Sequence, residues 1–562
     1  MLVSSLRISS AVPLLAKRTL TSHGLSPPGV ASLRYLATTT NTTTMGGRHS
    51  KPGQQRSPSQ RAKASALAVD VPKEPAKAYD ALAERLRELS SLNGIDSLLN
   101  WDEMVMMPPG AAASRGSQKA TLAGIKYEKQ TDPTIGALLA VLEAAPAGAL
   151  TSLQSAVVRE AAREYRKETA LSKELAQRMA KLKTDAYTAW VKAKTENDFS
   201  VFAPLLQELI EVNKERARLI DPTRPAYDVL LDDYEKGLTS ERLDQVFSQL
   251  RDGLVPLLAE IKSRGRKIDA SWIKGDYDTD KQAELCNKIA LDMGFDTQHG
   301  RLDVSVHPFS IGMHPNDVRM TTRFKKDDVI EAISGAVHET GHALYEQGRS
   351  LAAEAEGLPV NGALSMGLHE SQSLLWERCE RFPAPFGPAS ADSLYEAMNV
   401  IQEPSLVRVE ADELTYPLHI ILRYELERGL IDGSIAVEDV PRLWNDRMEA
   451  YLGARPPSDA KGCLQDVHWS MGAFGYFPTY TLGALYAVQL YDAAARELPG
   501  LEDKIRAGEF APLRAWLREK IHQVGSLPAN GDELMAAVTG SPLDPSVFLS
   551  YAKAKYGKLY GL

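Results

Sequence analysis

Apolar residues recur at the three- and four-residue spacing of a helix through most of this chain. The pattern starts near residue 76, where Leu82, Leu86, Leu89, Leu92, Ile95 and Leu98 share one face of AYDALAERLRELSSLNGIDSLLNWDE. Met107-Pro108-Pro109-Gly110 then forces a turn. Segments 112–130, 134–144, 151–194 and 200–219 return to the helical pattern and are rich in Ala, Leu, Glu and Lys, which lose little freedom in a helix. Asp221-Pro222 and Arg224-Pro225 interrupt it. Beyond them the spacing predicts helices over 240–265, 279–294, 327–347, 362–381, 391–402, 405–430, 437–450 and 480–497. One stretch has a different period. Residues 302–325, LDVSVHPFSIGMHPNDVRMTTRFK, alternate apolar and polar positions around a His314-Pro315-Asn316-Asp317 turn, which predicts a small β-hairpin inside a mainly α protein.

The first 75 residues differ from the rest. Residues 1–69 carry nine basic side chains and no acid, and they are rich in Ser, Thr and Ala. That composition, with an opening MLVSSLRISSAVPLLAKRTL that fits a basic amphipathic helix, predicts an organellar transit peptide followed by a disordered linker over 1–75. The expected location is a chloroplast stroma or mitochondrial matrix, or the cytoplasm if the segment is only a tail. Residues 76–562 are then expected to form one domain. Residues 70–562 carry 56 basic and 73 acidic residues, a net of −17. An acidic body repels phosphate backbones, so no nucleic-acid partner is expected. No run of 18 apolar residues is present, so no membrane span is expected. The three cysteines, Cys286, Cys379 and Cys463, are odd in number and far apart, which excludes a disulfide framework.

The strongest chemical signal is His338-Glu339-Thr340-Gly341-His342. Histidines at i and i+4 lie on one helix face, one turn apart, so both imidazoles reach one ion. Glu339, beside them, is placed to take a proton from a water at that ion. Asp327 and Asp328 are candidate caps for this helix and Gly348 ends it. A catalytic site needs a third protein ligand and an open position. A metzincin extension would need Gly at 345 and His at 348, where the chain has Tyr345 and Gly348, so that class is excluded. The next candidate is Glu370 in GLHESQSLLWER, on a following helix; His369 competes for the role or supports a ligand by hydrogen bonding. A His₂Glu set suits one divalent cation. Zinc is the expected ion, and the same donors accept cobalt or manganese.

HPF at 307–309, DVRMTTR at 317–323, HETGH at 338–342, HESQ at 369–372, RVEADE at 408–413 and GCLQDVHW at 462–469 together resemble the Taq-type metallocarboxypeptidases of peptidase family M32. WDEMVMMPPGAAASRGSQ and YEKQTDPTIGALL near the start are similar to that family too. The resemblance covers about residues 76–562. It implies an elongated, gluzincin-type α-helical fold with a deep groove, a homodimer, and removal of single residues from peptide C-termini. It also implies His338, His342 and Glu370 as ligands with Glu339 as base.

A carboxypeptidase must hold a substrate carboxylate, and an arginine fork pairs with both of its oxygens. Arg408 and Arg319 are the candidates. An Arg408–Asp412 ion pair at i, i+4 is the structural alternative for the first, and Arg323 reads as hairpin structure. Hydrolysis also needs donors for an oxyanion. His468, Tyr476 and Tyr480 are candidates, with Tyr476 preferred and aromatic core packing as the alternative for the tyrosines. His307 has a substrate-side role or is tied to backbone at a strand end. Asp466 and Asp412 are candidates to orient a ligand histidine. A zinc endopeptidase, a dipeptidyl carboxypeptidase, and an inactive metal-stabilised binding protein are the competing readings.

Overall fold

Side-chain caps set the starts of many helices. The computed structural model describes residues 69–378, 391–401 and 406–562. The presumed leader therefore lies almost wholly outside the described residues, as does Cys379. Helix α1 (Pro75–Val105) opens on a proline, and α2 (Ala112–Gln130) follows the Pro-Pro-Gly turn. Asp132 caps α3 (Pro133–Glu143), and Thr151 with Gln154 forms a reciprocal capping box on α4 (Ser152–Ala170). The single helix expected over 151–194 is in fact two. Ser172 accepts from the Leu175 amide and starts α5 (Lys173–Glu196), because a serine hydroxyl offers the backbone a local bond that competes with helix continuation. Next come α6 (Ala203–Ile220), a short α7 (Ala226–Leu231) just after Pro225, α8 (Ser240–Arg264) and α9 (Thr279–Met293).

Strands β1 (Gly300–Val304), β2 (Phe309–His314) and β3 (Asp317–Thr322) form a sheet in the order β1-β3-β2. The expected hairpin is β2–β3, closed at His314–Asp317. The third strand, β1, adds in parallel to β3, with Leu302 opposite Met320.

Asp328 caps α10 (Val329–Gly348), which bears both site histidines. The remaining helices are α11 (Met366–Glu377), α12 (Ala391–Met398), α13 (Thr415–Asp432), α14 (Val440–Leu452), α15 (Pro478–Glu497), α16 (Leu501–Arg506), α17 (Ala511–Leu517), α18 (Gly531–Thr539) and α19 (Pro545–Tyr560). The last four go beyond the expected set. The helix expected over 405–430 is corrected as well. Arg408–Glu410 is an isolated 3₁₀ turn, and α13 starts only at Thr415, where Asp412 accepts from the Leu414 and Thr415 amides.

Helices α10, α11, α13 and α15 are buried on nearly every side and form the interior of the main body. The N-terminal helices α1, α3 and α4 share a second apolar cluster, including Leu82, Leu138 and Val157, closed by Leu358 and Val360. Trp101 of α1 joins this layer to the sheet by packing on Phe309 and Ile311 of β2.

Two crossings at the centre depend on glycine. A Cβ on Gly341 would stand 2.6 Å from Ser373 Cα and 2.7 Å from the Gln372 carbonyl oxygen, so α10 meets α11 at backbone contact. A Cβ on Gly483 would stand 2.7 Å from Glu370 Cγ, so α15 presses on the ligand-bearing face of α11. Gly341→Ala is therefore expected to lower the unfolding free energy by about 1–3 kcal/mol, through overpacking against rigid backbone. Gly124→Ala, in α2 where nothing lies within 4 Å of a new Cβ, is expected to raise it by roughly 0.4–1 kcal/mol. Urea denaturation of both variants checks the two opposite signs.

Candidate metal centre

His338, Glu339 and His342 project from the buried middle of α10, and Glu370 faces them from α11. The Nε2 atoms of His338 and His342 lie 4.0 and 3.6 Å from Glu370 Oε2. One donor atom from each of the three residues falls within 4.8 Å of the others. Both Nε2 atoms are buried and have no hydrogen-bond partner among the described residues. Buried imidazole nitrogens left bare and turned to a carboxylate are suited to a cation, so this donor set fits one divalent metal.

The other face of each imidazole is held. His338 Nδ1 meets Glu377 Oε1 at 2.5 Å. His342 Nδ1 meets His369 Nδ1 at 2.6 Å, and His369 Nε2 meets Glu346 Oε1 at 3.0 Å, with Arg349 bound to the same glutamate. If His369 gives its Nε2 proton to Glu346, its Nδ1 accepts from His342, which leaves His342 Nε2 bare. His369 is thus a supporting residue, the second of the two roles open to it from sequence. Asp466 and Asp412, the expected orienting carboxylates, do not do this. Asp466 binds two arginines and Asp412 caps α13. The orienting glutamates were missed, although helix spacing points to them: Glu377 lies two turns along from Glu370, and Glu346 one turn along from His342.

Charge follows this geometry. Burial opposes protonation of His338, but Glu370, Glu377 and Glu339 outweigh it and push the imidazole up to about 9. The same carboxylates favour a cation there. Burial and the His369 and His338 rings hold His342 well below its ordinary value, so it stays neutral. Burial works against ionisation of Glu346, yet Arg349 and His369 hold its carboxyl well below the usual range.

An aromatic wall lies on the α15 side of Glu370. Tyr476 and Tyr480 pack edge to face with ring centres 5.3 Å apart, and burial pushes both phenols up, with Glu370 adding to it at Tyr476 and the Tyr476 hydroxyl adding to it at Tyr480. His468 lies 3.3 Å by Nε2 from the Tyr480 hydroxyl; burial and Arg408 depress it to about 3, so it is a neutral imidazole. Arg408 is buried beneath this wall, its guanidinium 4.9 Å from the Tyr480 ring centre. It reaches Asp466 at 2.9–3.0 Å and donates to the Tyr416 hydroxyl at 2.9 Å. The alternative pair with Asp412 does not form, because Asp466 takes the fork instead. Arg319 lies elsewhere: both its fork bonds go to Asp317 at 2.8 Å, and it stacks on Trp101. His307 sits in the β1–β2 loop, where its carbonyl accepts from Ser305, and Pro308 packs by Gly335 of α10. Arg323 pairs with Glu331, in line with a structural role.

A family model described as carboxypeptidase Taq (M32) metallopeptidase matches residues 81–556. The chain is 39% identical over 512 residues to thermostable carboxypeptidase 1 of Thermus thermophilus, covering 87% of this chain and 100% of the relative. It is 37% identical to carboxypeptidase 1 of Bacillus subtilis, over 84% of this chain and 97% of the relative. The crystal structure of the M32 carboxypeptidase from Deinococcus radiodurans superposes with a TM-score of 0.81 at 35% identity, covering 86% of this chain and 100% of that one.

Glu370→Ala is expected to leave the purified protein without bound metal. His369→Ala, which removes support for one ligand only, is expected to weaken affinity by roughly 10–100-fold. Metal content after dialysis checks the order, and the reverse order gives the ligand role to His369.

Proposed function

The chain belongs to the carboxypeptidase Taq (M32) metallopeptidase family and is a metal-dependent carboxypeptidase, and on that premise we propose how its residues divide the work. The endopeptidase and inactive-protein readings are not favoured. His338, His342 and Glu370 hold one divalent metal, zinc in this reading, with cobalt and manganese compatible with the same donors. The observation that carries this is the pair of bare, buried Nε2 atoms turned to Glu370. When bound, the metal supplies Lewis-acid polarisation.

Everything else is done by side chains. Glu339 takes a proton from the attacking water as its oxygen adds to the scissile carbonyl carbon. As the C–N bond breaks, the same carboxyl returns that proton to the leaving amine. Tyr476 donates to the oxygen that gains negative charge. His468 and Tyr480 hold one another and keep the wall rigid. Arg408, its Nε and Nη2 held by Asp466 and its Nη1 by Tyr416, supplies the positive charge that draws the C-terminal carboxylate of the peptide, with Tyr480 beside it. Arg319, on the sheet with Asp317 and Trp101, is the second candidate, and His307 lines the approach beside α10.

Residues 1–75 serve as a transit segment and 76–562 as the catalytic unit, acting as a homodimer in an organelle. Support comes from the absence of acidic residues over 1–69 and from the start of the family match at residue 81. No described helix is long and apolar enough to cross a membrane. A reporter fused to residues 1–75 that stays cytosolic, or a solution mass of one chain, counts against these two readings.

Glu339→Gln is expected to retain metal and lose more than about nine-tenths of kcat, because the water loses its proton acceptor. Metal analysis beside steady-state kinetics checks it. Peptides with a free C-terminus are expected to be trimmed one residue at a time, about 10- to 150-fold better in kcat/KM than the matching amides. That ratio corresponds to roughly 1.5–3 kcal/mol for one charge-assisted contact. Arg408→Ala should shrink the ratio with metal still bound, and Arg408→Lys should restore it in part. An unchanged ratio in Arg408→Ala moves the role to Arg319.

A further inference from the structure

Glu427 of α13 is fully buried and accepts three hydrogen bonds, all from neutral donors. Trp469 Nε1 donates at 2.8 Å, the Gly475 amide at 3.0 Å and the Tyr227 hydroxyl at 3.0 Å. Burial pushes its carboxyl up to about 7 against these donors. A buried carboxylate is costly to keep, so its placement calls for a reason.

Trp469 and Gly475 are the two ends of one turn. It leaves His468 as a 3₁₀ segment, Trp469–Met471, and the Ala473 amide bonds back to the His468 carbonyl at 3.0 Å. Gly472 and Gly475 take φ of 69° and 85°, and Tyr476 follows directly. A Cβ on Gly475 would stand 2.9 Å from the backbone of Leu230 and Leu231, so the turn is pressed onto α7, which also carries Tyr227. Tyr234, just beyond α7, meets the Tyr476 ring edge-on at 5.0 Å. One carboxylate therefore ties both ends of the turn to the helix against which it rests.

We propose that Glu427 is a positioning residue for hydrolysis: by holding the Trp469 indole and the Gly475 amide, it sets the 468–476 turn so that Tyr476 stands on the Glu370 side of the site. This rests on the oxyanion role given to Tyr476 above. A displacement of about 1 Å at such a group costs on the order of a hundredfold in rate.

The test is a double-mutant cycle on metal-loaded protein, using Glu427→Gln, Tyr476→Phe and both together. Tyr476→Phe is expected to lower kcat by about a hundredfold. Glu427→Gln is expected to lower kcat at least about tenfold, with KM within about threefold and metal content unchanged, and by less than about twofold when Tyr476 is already Phe. A full additional loss in the Tyr476→Phe background, or an unchanged kcat for Glu427→Gln alone, overturns the proposal while leaving the Tyr476 reading intact. Full activity in Tyr476→Phe overturns both. If Glu427→Gln does not fold, Tyr227→Phe, which removes one donor and keeps the carboxylate, is run in the same cycle. A loss of about 3–10-fold that vanishes beside Tyr476→Phe supports the proposal, and an additive loss or none overturns it.

Discussion

The contact on which the rest depends is the crossing of α10 and α11 at Gly341. Two histidines one turn apart define only a line of donors. They become a site when a carboxylate is brought to within 4 Å of both, and Glu370 reaches that distance because no side chain separates its helix from α10. The second close approach, at Gly483, presses α15 against the Glu370 side chain, so that carboxylate is confined between two helices. Packing at backbone distance leaves little room for the donor set to spread.

Around that crossing, ionisable groups are buried in sets in which each member answers another. His342, His369, Glu346 and Arg349 form a chain from ligand to guanidinium. Asp466 lies between Arg408 and Arg423, and the two arginines hold its carboxyl well below the usual range although burial acts the other way. Arg423 is lowered to about 10, by burial first and then by Arg408. Two guanidiniums on one carboxylate leave a local excess of positive charge, the polarity that suits a substrate bearing an anionic terminus.

Much of this was legible in the residues. The helical period marks most elements up to residue 497, and HETGH with HESQ names all three residues that the fold brings together. What was not legible has physical causes. The split at Ser172 and the late start of α13 at Thr415 are decided by local bonds to the Ser172 and Asp412 side chains, which compete with helix propensity over two or three residues. The parallel pairing of β1 with β3, and the choice of Asp466 over Asp412 as partner of Arg408, are contacts between segments distant in sequence, which no local period encodes. Glu377 and Glu346 share the helix spacing that marks the histidines, but their contacts with His338 and His369 run between two helices and depend on how α10 and α11 cross.

The ligands and the wall that faces them are drawn from different parts of the chain. His338, His342 and Glu370 lie on neighbouring helices, while His468, Tyr476, Tyr480 and Gly483 belong to a segment far downstream. During synthesis from the N-terminus, the helix pair bearing the donors leaves the ribosome well before the residues that close over it. An emerging chain therefore presents the two histidines and Glu370 before it presents the aromatic wall. The donor set and the wall therefore meet only when α15 docks on α11.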